Sequence, residues 1–153
     1  MDRQLKPKRS PAGIDLVRRI ASEGRRIFSM ELARELSPEV GLKQAYLREA
    51  LYHLRRTGWI VPLRRGLYAI SSEVPGVAPV HEFEVAMVLV APAAISHWSA
   101  VHHHGLTEQV PRKVFVLTTA DTSIPRLAKT KKQKSGDGYP VGDTLYQFGT
   151  LKT

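Results

Sequence analysis

The stretch from residue 42 to residue 70 constrains the fold most, because its apolar periodicity changes once from helical to extended. Residues 42–57 repeat apolar side chains at i, i+3, i+4 and i+7, and Gly58 follows at the usual end of a helix. Residues 59–70 then form two short apolar runs around a glycine-containing turn, which is typical of a β-hairpin. The predicted buried stripe of the helix is Leu47, Ala50, Leu51 and Leu54.

Two shorter helices are predicted before the long one. Residues 14–20 carry an apolar helical stripe, and Ser29 is placed to cap a second helix that ends before Pro38. Helix, helix, longer helix and hairpin is the order of a winged helix-turn-helix, in which the third helix enters a DNA groove. We therefore expect residues 13–70 to form a winged helix-turn-helix DNA-binding domain, preceded by a basic arm over residues 1–12.

The charge distribution supports the same interpretation. The 153 residues carry a net charge of +9, and residues 1–70 hold 15 Lys and Arg against 7 Asp and Glu. Residues 71–153 are nearly balanced, with 8 against 7. A strong basic excess is expected of a nucleic-acid binder, although it also fits an acidic protein partner or an anionic membrane surface.

A projection of the long helix at 100° per residue places basic and polar side chains opposite its apolar stripe. Side chains near the start of a recognition helix reach base edges, whereas later ones contact phosphate. A solvated basic face is the alternative, but the arm and the hairpin tip are basic as well. The expected base-reading residues are Gln44, Ala45 and Arg48. The expected backbone contacts are Lys43, Tyr52, Arg55, Arg56, Arg64, Arg65, Lys6, Lys8 and Arg9.

The remainder of the chain predicts a small α+β domain over residues 81–153, joined by a linker over residues 71–80. Trp98 is expected to be a core or interdomain anchor, and residues 128–144 are expected to be an irregular surface loop. The predicted helices cover residues 81–90 and a segment from about Ser96 to Gly105, and the predicted strands cover residues 114–118 and 145–148.

Several chemical classes lack support in the sequence. The chain has no cysteine, which excludes disulfide scaffolds, thiolate metal sites and thiol catalysis, and it has no phosphate-binding glycine motif. No cofactor, catalytic residue or membrane span is therefore expected, and a reducing cytoplasm is the default compartment. A nuclease would need a carboxylate cluster in the second domain, where the acidic residues are scattered: Glu82, Glu84, Glu108, Asp121, Asp137 and Asp143.

The histidines of the second domain suggest a metal site at first sight. A zinc site needs three or four converging ligands with ordered partners behind them, and neighbouring positions on a helix point in different directions. A structural role near a helix end is the preferred interpretation, so no metal is predicted. The histidines concerned are His97, His102, His103 and His104.

Two tracts of the second domain carry a resemblance to a known family. Residues 96–100 read SHWSA, and residues 104–109 read HGLTEQ. Together with the RRGLYAI run at residues 64–70, they resemble the AbiEi-type antitoxins, the transcriptional regulators of abortive-infection toxin–antitoxin systems. The resemblance covers about residues 14–150.

The resemblance implies a repressor that binds inverted-repeat operator DNA at its own promoter. It also implies that residues 81–153 counteract a nucleotidyltransferase-like toxin without the need for a stable complex. Because family members generally continue further, this domain is expected to be incomplete at its C-terminal end. No dimer seam is evident in the sequence, so a monomer or a weak dimer is expected. The rival hypothesis is a protein-interaction module that grips an acidic partner and uses the winged helix as a scaffold.

Overall fold

The computed structural model describes residues 12–119, 125 and 138–152. The chain divides into two compact units between Pro79 and Val80, and each unit has helices and a small sheet of its own. The predicted α+β class is therefore confirmed. No helix of the described residues combines the length and the apolar character that crossing a bilayer requires.

The first unit contains the predicted order of two short helices, a longer helix and a hairpin. The long helix begins two residues later than expected, because Leu42 is buried while its N–H donates to the Ser37 carbonyl outside the helix. The elements are α1 (Ala12–Ser22), β1 (Ile27–Ser29), α2 (Met30–Leu36), a 3-10 turn (Ser37–Val40), α3 (Gln44–Arg56), β2 (Ile60–Arg64) and β3 (Leu67–Ile70).

The predicted apolar stripes meet in the core of this unit. From α1, Leu16 and Ile20 are fully buried, and they belong to the same cluster as the stripe of α3. Ala50 packs against this cluster but is only half-buried. The serine cap is also confirmed, since the Ser29 hydroxyl accepts a hydrogen bond of 3.2 Å from the Leu32 N–H.

The hairpin is the larger part of a three-stranded antiparallel sheet of order β1-β3-β2. Phe28 of β1 lies opposite Tyr68 of β3, and their rings stack with 5.5 Å between centroids. The N–H of Met30, where α2 begins, donates to the carbonyl of Gly66 in the hairpin turn at 2.9 Å. The hairpin is thus attached on one side to the start of α2.

Strand β2 has an edge position that explains its sequence. Pro62 has no N–H to donate, and an edge strand tolerates that loss. The register shifts between Pro62 and Arg64, which turns Leu63 into the protein and leaves Arg64 exposed. Gly66 follows with a φ of +74°, a backbone conformation that residues other than glycine rarely adopt.

Residues 71–80, the predicted linker, are largely attached to the first unit. Val74 is 6% exposed and belongs to the core cluster. The Ser71 N–H donates to the Trp59 carbonyl at 2.9 Å, and the Arg26 guanidinium donates to the Pro79 carbonyl at 2.8 Å. This segment therefore extends the first unit, and the prediction of a separate linker missed its buried valine.

The second unit has a four-stranded sheet of order β4-β5-β7-β6, in which β5 and β7 are parallel and the other pairs are antiparallel. Residues 139–141 were expected to be irregular, but they form a strand because they pair with residues 144–146 across a short turn. Residues 128–137 of that predicted loop lie outside the described residues. The elements are α4 (Glu82–Leu89), β4 (Ala94–Ile95), α5 (His97–His103), β5 (Val114–Thr118), β6 (Tyr139–Val141) and β7 (Thr144–Thr150).

One face of this sheet is buried. Val114 and Val116 of β5 alternate inward, and Tyr146 of β7 lies beside Val114 in register. The Tyr146 hydroxyl donates to the Glu82 carbonyl at the start of α4 at 3.0 Å. Burial raises the pKa of Tyr146, so its hydroxyl remains a donor at physiological pH.

Candidate nucleic-acid interface

Helix α3 presents one apolar and one solvent-facing side. Its C-terminal end is closed by Gly58, which has a φ of +79°, and by a 2.9 Å hydrogen bond from the Trp59 N–H to the Leu54 carbonyl. Because the leucine stripe faces the core, the opposite side is open to solvent, and Tyr52 is 54% exposed there. The other predicted contact residues on this side are also exposed: Ala45, Arg48, Arg55 and Arg56.

Six exposed or half-buried arginines of the first unit fall into two groups: three form ion pairs and three do not. Arg19 of α1 donates to Glu23 at 2.8 Å and to Glu39 at 2.7 Å, and further pairs join Arg18 to Asp15 and Arg25 to Glu23. By contrast, Arg48, Arg55 and Arg65 have no ion pair within the described residues. Asp15, Glu23 and Glu39 therefore offset arginine charge near α1, while the guanidinium groups of the second group keep their charge available for an anion.

Arg56 has a different environment from the other α3 arginines. Its guanidinium carbon lies 5.8 Å from the centre of the Tyr52 ring, within the range of a cation–π contact. Such a contact holds the guanidinium and the phenol side by side on the exposed face. The pair is suited to a phosphate, which both a guanidinium and a hydroxyl can contact.

Gln44, an expected base reader, is already engaged within the protein. Its amide nitrogen donates to the Arg34 carbonyl at 2.6 Å and to the Ser37 hydroxyl at 3.0 Å. These two bonds use both amide hydrogens, and bidentate recognition of adenine needs one of them. In this conformation Gln44 ties the start of α3 to the end of α2. Of the two long polar side chains predicted to read bases, Arg48 is therefore the one that has no ion pair within the described residues.

The exposed face of α3 also carries residues that the sequence analysis did not select. Glu49 lies 3.6 Å from His53 through Oε1 and Nε2, one turn further along the helix, and Tyr46 is exposed near the helix start. In the same 100° projection Glu49 and His53 fall opposite the leucines, whereas Tyr46 falls beside the apolar stripe.

The other predicted DNA contacts lie in the hairpin and in the arm. Arg64 and Arg65 are both exposed at the hairpin turn. Lys43 is exposed directly before α3, where its backbone is extended. Lys6, Lys8 and Arg9 lie outside the described residues. The predicted contact residues that the structure describes thus belong to α3, to the residue directly before it and to the hairpin of the same unit.

Of the four histidines in residues 97–104, His103 and His104 are ring neighbours, with 5.3 Å between their centroids. His97 Nδ1 lies 2.7 Å from the Ser96 hydroxyl, and His104 ends α5. His102 Nδ1 is buried and has no hydrogen-bond partner among the residues that the structure describes. In the part of the chain that the structure describes, no three His, Asp or Glu side chains come together as a metal site would require.

Ser99 joins α5 to β5. It is 2% exposed, its hydroxyl donates to the Lys113 carbonyl at 3.1 Å, and it accepts from the Phe115 N–H at 2.9 Å. Sequence reasoning could not assign this role, because both partners are distant in the chain and belong to the backbone.

Replacing Ser99 with alanine leaves that buried backbone N–H and carbonyl without the hydroxyl between them. We expect the free energy of unfolding to fall by about 1–3 kcal/mol. Urea denaturation measures the loss, and Ser96→Ala is the matched control, since its hydroxyl contacts only an exposed histidine. Equal stability of the two variants would contradict the bridging role of Ser99.

Comparison of the chain with protein-family models and with curated proteins finds no match.

Proposed function

We propose that the first unit is a winged helix-turn-helix that binds duplex DNA and that the chain is a transcriptional repressor. The observation that carries this proposal is that Arg48 and Arg55 are exposed on α3 and have no ion pair within the described residues, whereas Asp15, Glu23 and Glu39 pair with arginines outside α3. In this arrangement α3 enters the major groove, and the β2–β3 hairpin is the wing. The resemblance to AbiEi-type antitoxins extends the proposal to a role against a nucleotidyltransferase-like toxin.

In this proposal the start of α3 reads bases, whereas the end of α3 and the wing contact phosphates. Arg48 contacts a guanine edge through two parallel hydrogen bonds, because a guanidinium matches the O6 and N7 acceptors. Tyr52, Arg55 and Arg56 contact phosphates further along the helix. Arg65 reaches the backbone of an adjacent groove from the hairpin turn.

The proposal is tested by a mobility shift with the DNA directly upstream of the gene, compared with a scrambled duplex at several salt concentrations. Each neutralised phosphate contributes about −0.9 to the slope of log K against log salt, so four to six contacts predict a slope between about −3.6 and about −5.4. We expect tighter binding to the upstream DNA. A slope near zero, or capture of an acidic protein that survives nuclease treatment, would contradict DNA binding and favour a protein partner.

A further inference from the structure

The second unit has a groove on the sheet face that turns away from its buried valines. Phe115 of β5 and Gln147 of β7 lie directly opposite each other in the parallel register, and both are only half-buried. The groove has a volume of about 410 Å³. The groove is lined by residues 109–113 together with Trp98, Phe115 and Gln147.

Trp98 is the most unusual of these residues. It was expected to be a core or interdomain anchor, but it is 53% exposed at the side of the groove. Next to it in sequence, His97 has its ring centroid 5.6 Å from that of Phe115. Val110 lines the same groove and is 75% exposed, and adjoining exposed apolar side chains of this kind mark a binding site. The groove therefore offers flat rings to an incoming ligand.

The polar lining limits the charge of that ligand. Arg112 and Lys113 are cationic, and within the described residues no carboxylate lines the groove. Arg112 is exposed and has no ion pair in the part of the chain that the structure describes. Gln109 and Gln147 add amide groups that can both donate and accept hydrogen bonds. The complementary ligand is an anion that also has a flat face and polar edges.

We propose that this groove binds a single-stranded segment of nucleic acid. A base stacks on Trp98, the adjoining phosphate contacts Arg112, and the amides contact the base edge. A duplex does not fit this chemistry, because its base faces are stacked inside the helix. An acidic peptide matches the charge but, in general, not the exposed indole. This site is separate from the duplex-binding face proposed for α3 and does not depend on it.

The test uses the full chain with Trp59→Phe, since the protein has two tryptophans and Trp98 is then the only one left. The probes are a ten-nucleotide oligothymidine and a ten-nucleotide oligouridine, and their relative affinities show whether the ribose matters. We expect saturable quenching of Trp98 fluorescence. Absence of quenching by both probes would overturn the proposal.

Variants show which side chains are responsible. In the chain that retains Trp59, Trp98→Ala is expected to lower the affinity for a labelled oligonucleotide by roughly 5- to 150-fold, whereas Trp98→Phe retains most of the stacking. Arg112→Ala is expected to weaken oligonucleotide binding and to make it less dependent on salt. The matched control is Arg18→Ala, which removes an exposed arginine of α1. Circular dichroism confirms that each variant is folded.

Two further outcomes separate this proposal from the others. Duplex binding is expected to be the same in Trp98→Ala as in the unaltered chain, and quenching of Trp98 is expected to persist in Arg48→Ala. Oligonucleotide affinity that is unchanged by Trp98→Ala would overturn the proposal. Quenching by a glutamate-rich peptide but by neither oligonucleotide would also overturn it and assign the groove to an acidic protein.

Discussion

Replacing Arg48 with alanine is expected to weaken binding to the upstream DNA by about 1–3 kcal/mol, which is the usual value of one bidentate contact between arginine and guanine. The reason is structural, because Arg48 is exposed near the start of α3 and has no ion pair within the described residues. The measurement is a titration of the upstream duplex and of duplexes with single-base substitutions. Discrimination is expected to be lost at one base position only.

Two other arginines serve as comparisons for this prediction. Arg65→Ala is expected to weaken binding to the upstream and scrambled duplexes equally, because a phosphate contact does not read sequence. Arg18→Ala is expected to change neither, because this side chain lies on α1 beside Asp15. If Arg48→Ala reduced the affinity for both duplexes by the same factor, its role would be a phosphate contact and base reading would have to be assigned to another residue.

The largest expected loss of stability follows from replacing Leu16 with alanine. Leu16 is 0% exposed and lies in the core cluster that joins α1 to α3. Removing its side chain loses apolar burial and leaves a cavity, which costs about 2–5 kcal/mol. Denaturant unfolding followed by circular dichroism measures this change in the free energy of unfolding.

The matched control for this variant is again Arg18→Ala, two residues along the same helix and exposed to solvent. An exposed substitution of this kind is expected to change stability by less than about 0.5 kcal/mol. A loss for Leu16→Ala as small as that of the control would mean that α1 is not packed on the core. It would also mean that packing against α1 does not hold α3 in place.

The elements of the first unit were predictable because their signals are local. The leucine spacing of α3, the serine before α2 and the glycine after α3 each act within one or two turns of helix. The pairing of β1 with β3 was not predictable in the same way, because its register joins residues about forty positions apart. Extended propensity at Ile27 and Phe28 indicates a strand but does not identify its partner.

The candidate sites show the same division between local and distant information. The exposed face of α3 follows from periodicity alone, so its arginines could be named from the sequence. The engagement of Gln44 depends on Ser37 and on the Arg34 carbonyl, which a helical projection does not include. The exposure of Trp98 depends on which neighbours pack over it, and an aromatic residue in a helix is more often buried.

The attachment of the hairpin to β1 has a consequence for the energetics of the proposed DNA binding. Because β3 is the central strand and is paired on both sides, the turn with Arg64 and Arg65 extends from backbone that is already ordered in the free protein. A loop that becomes ordered only on association loses conformational entropy at that moment, which weakens the complex. In this protein the hairpin backbone loses that entropy when the chain folds, so a hairpin that contacts DNA does so with a preorganised backbone.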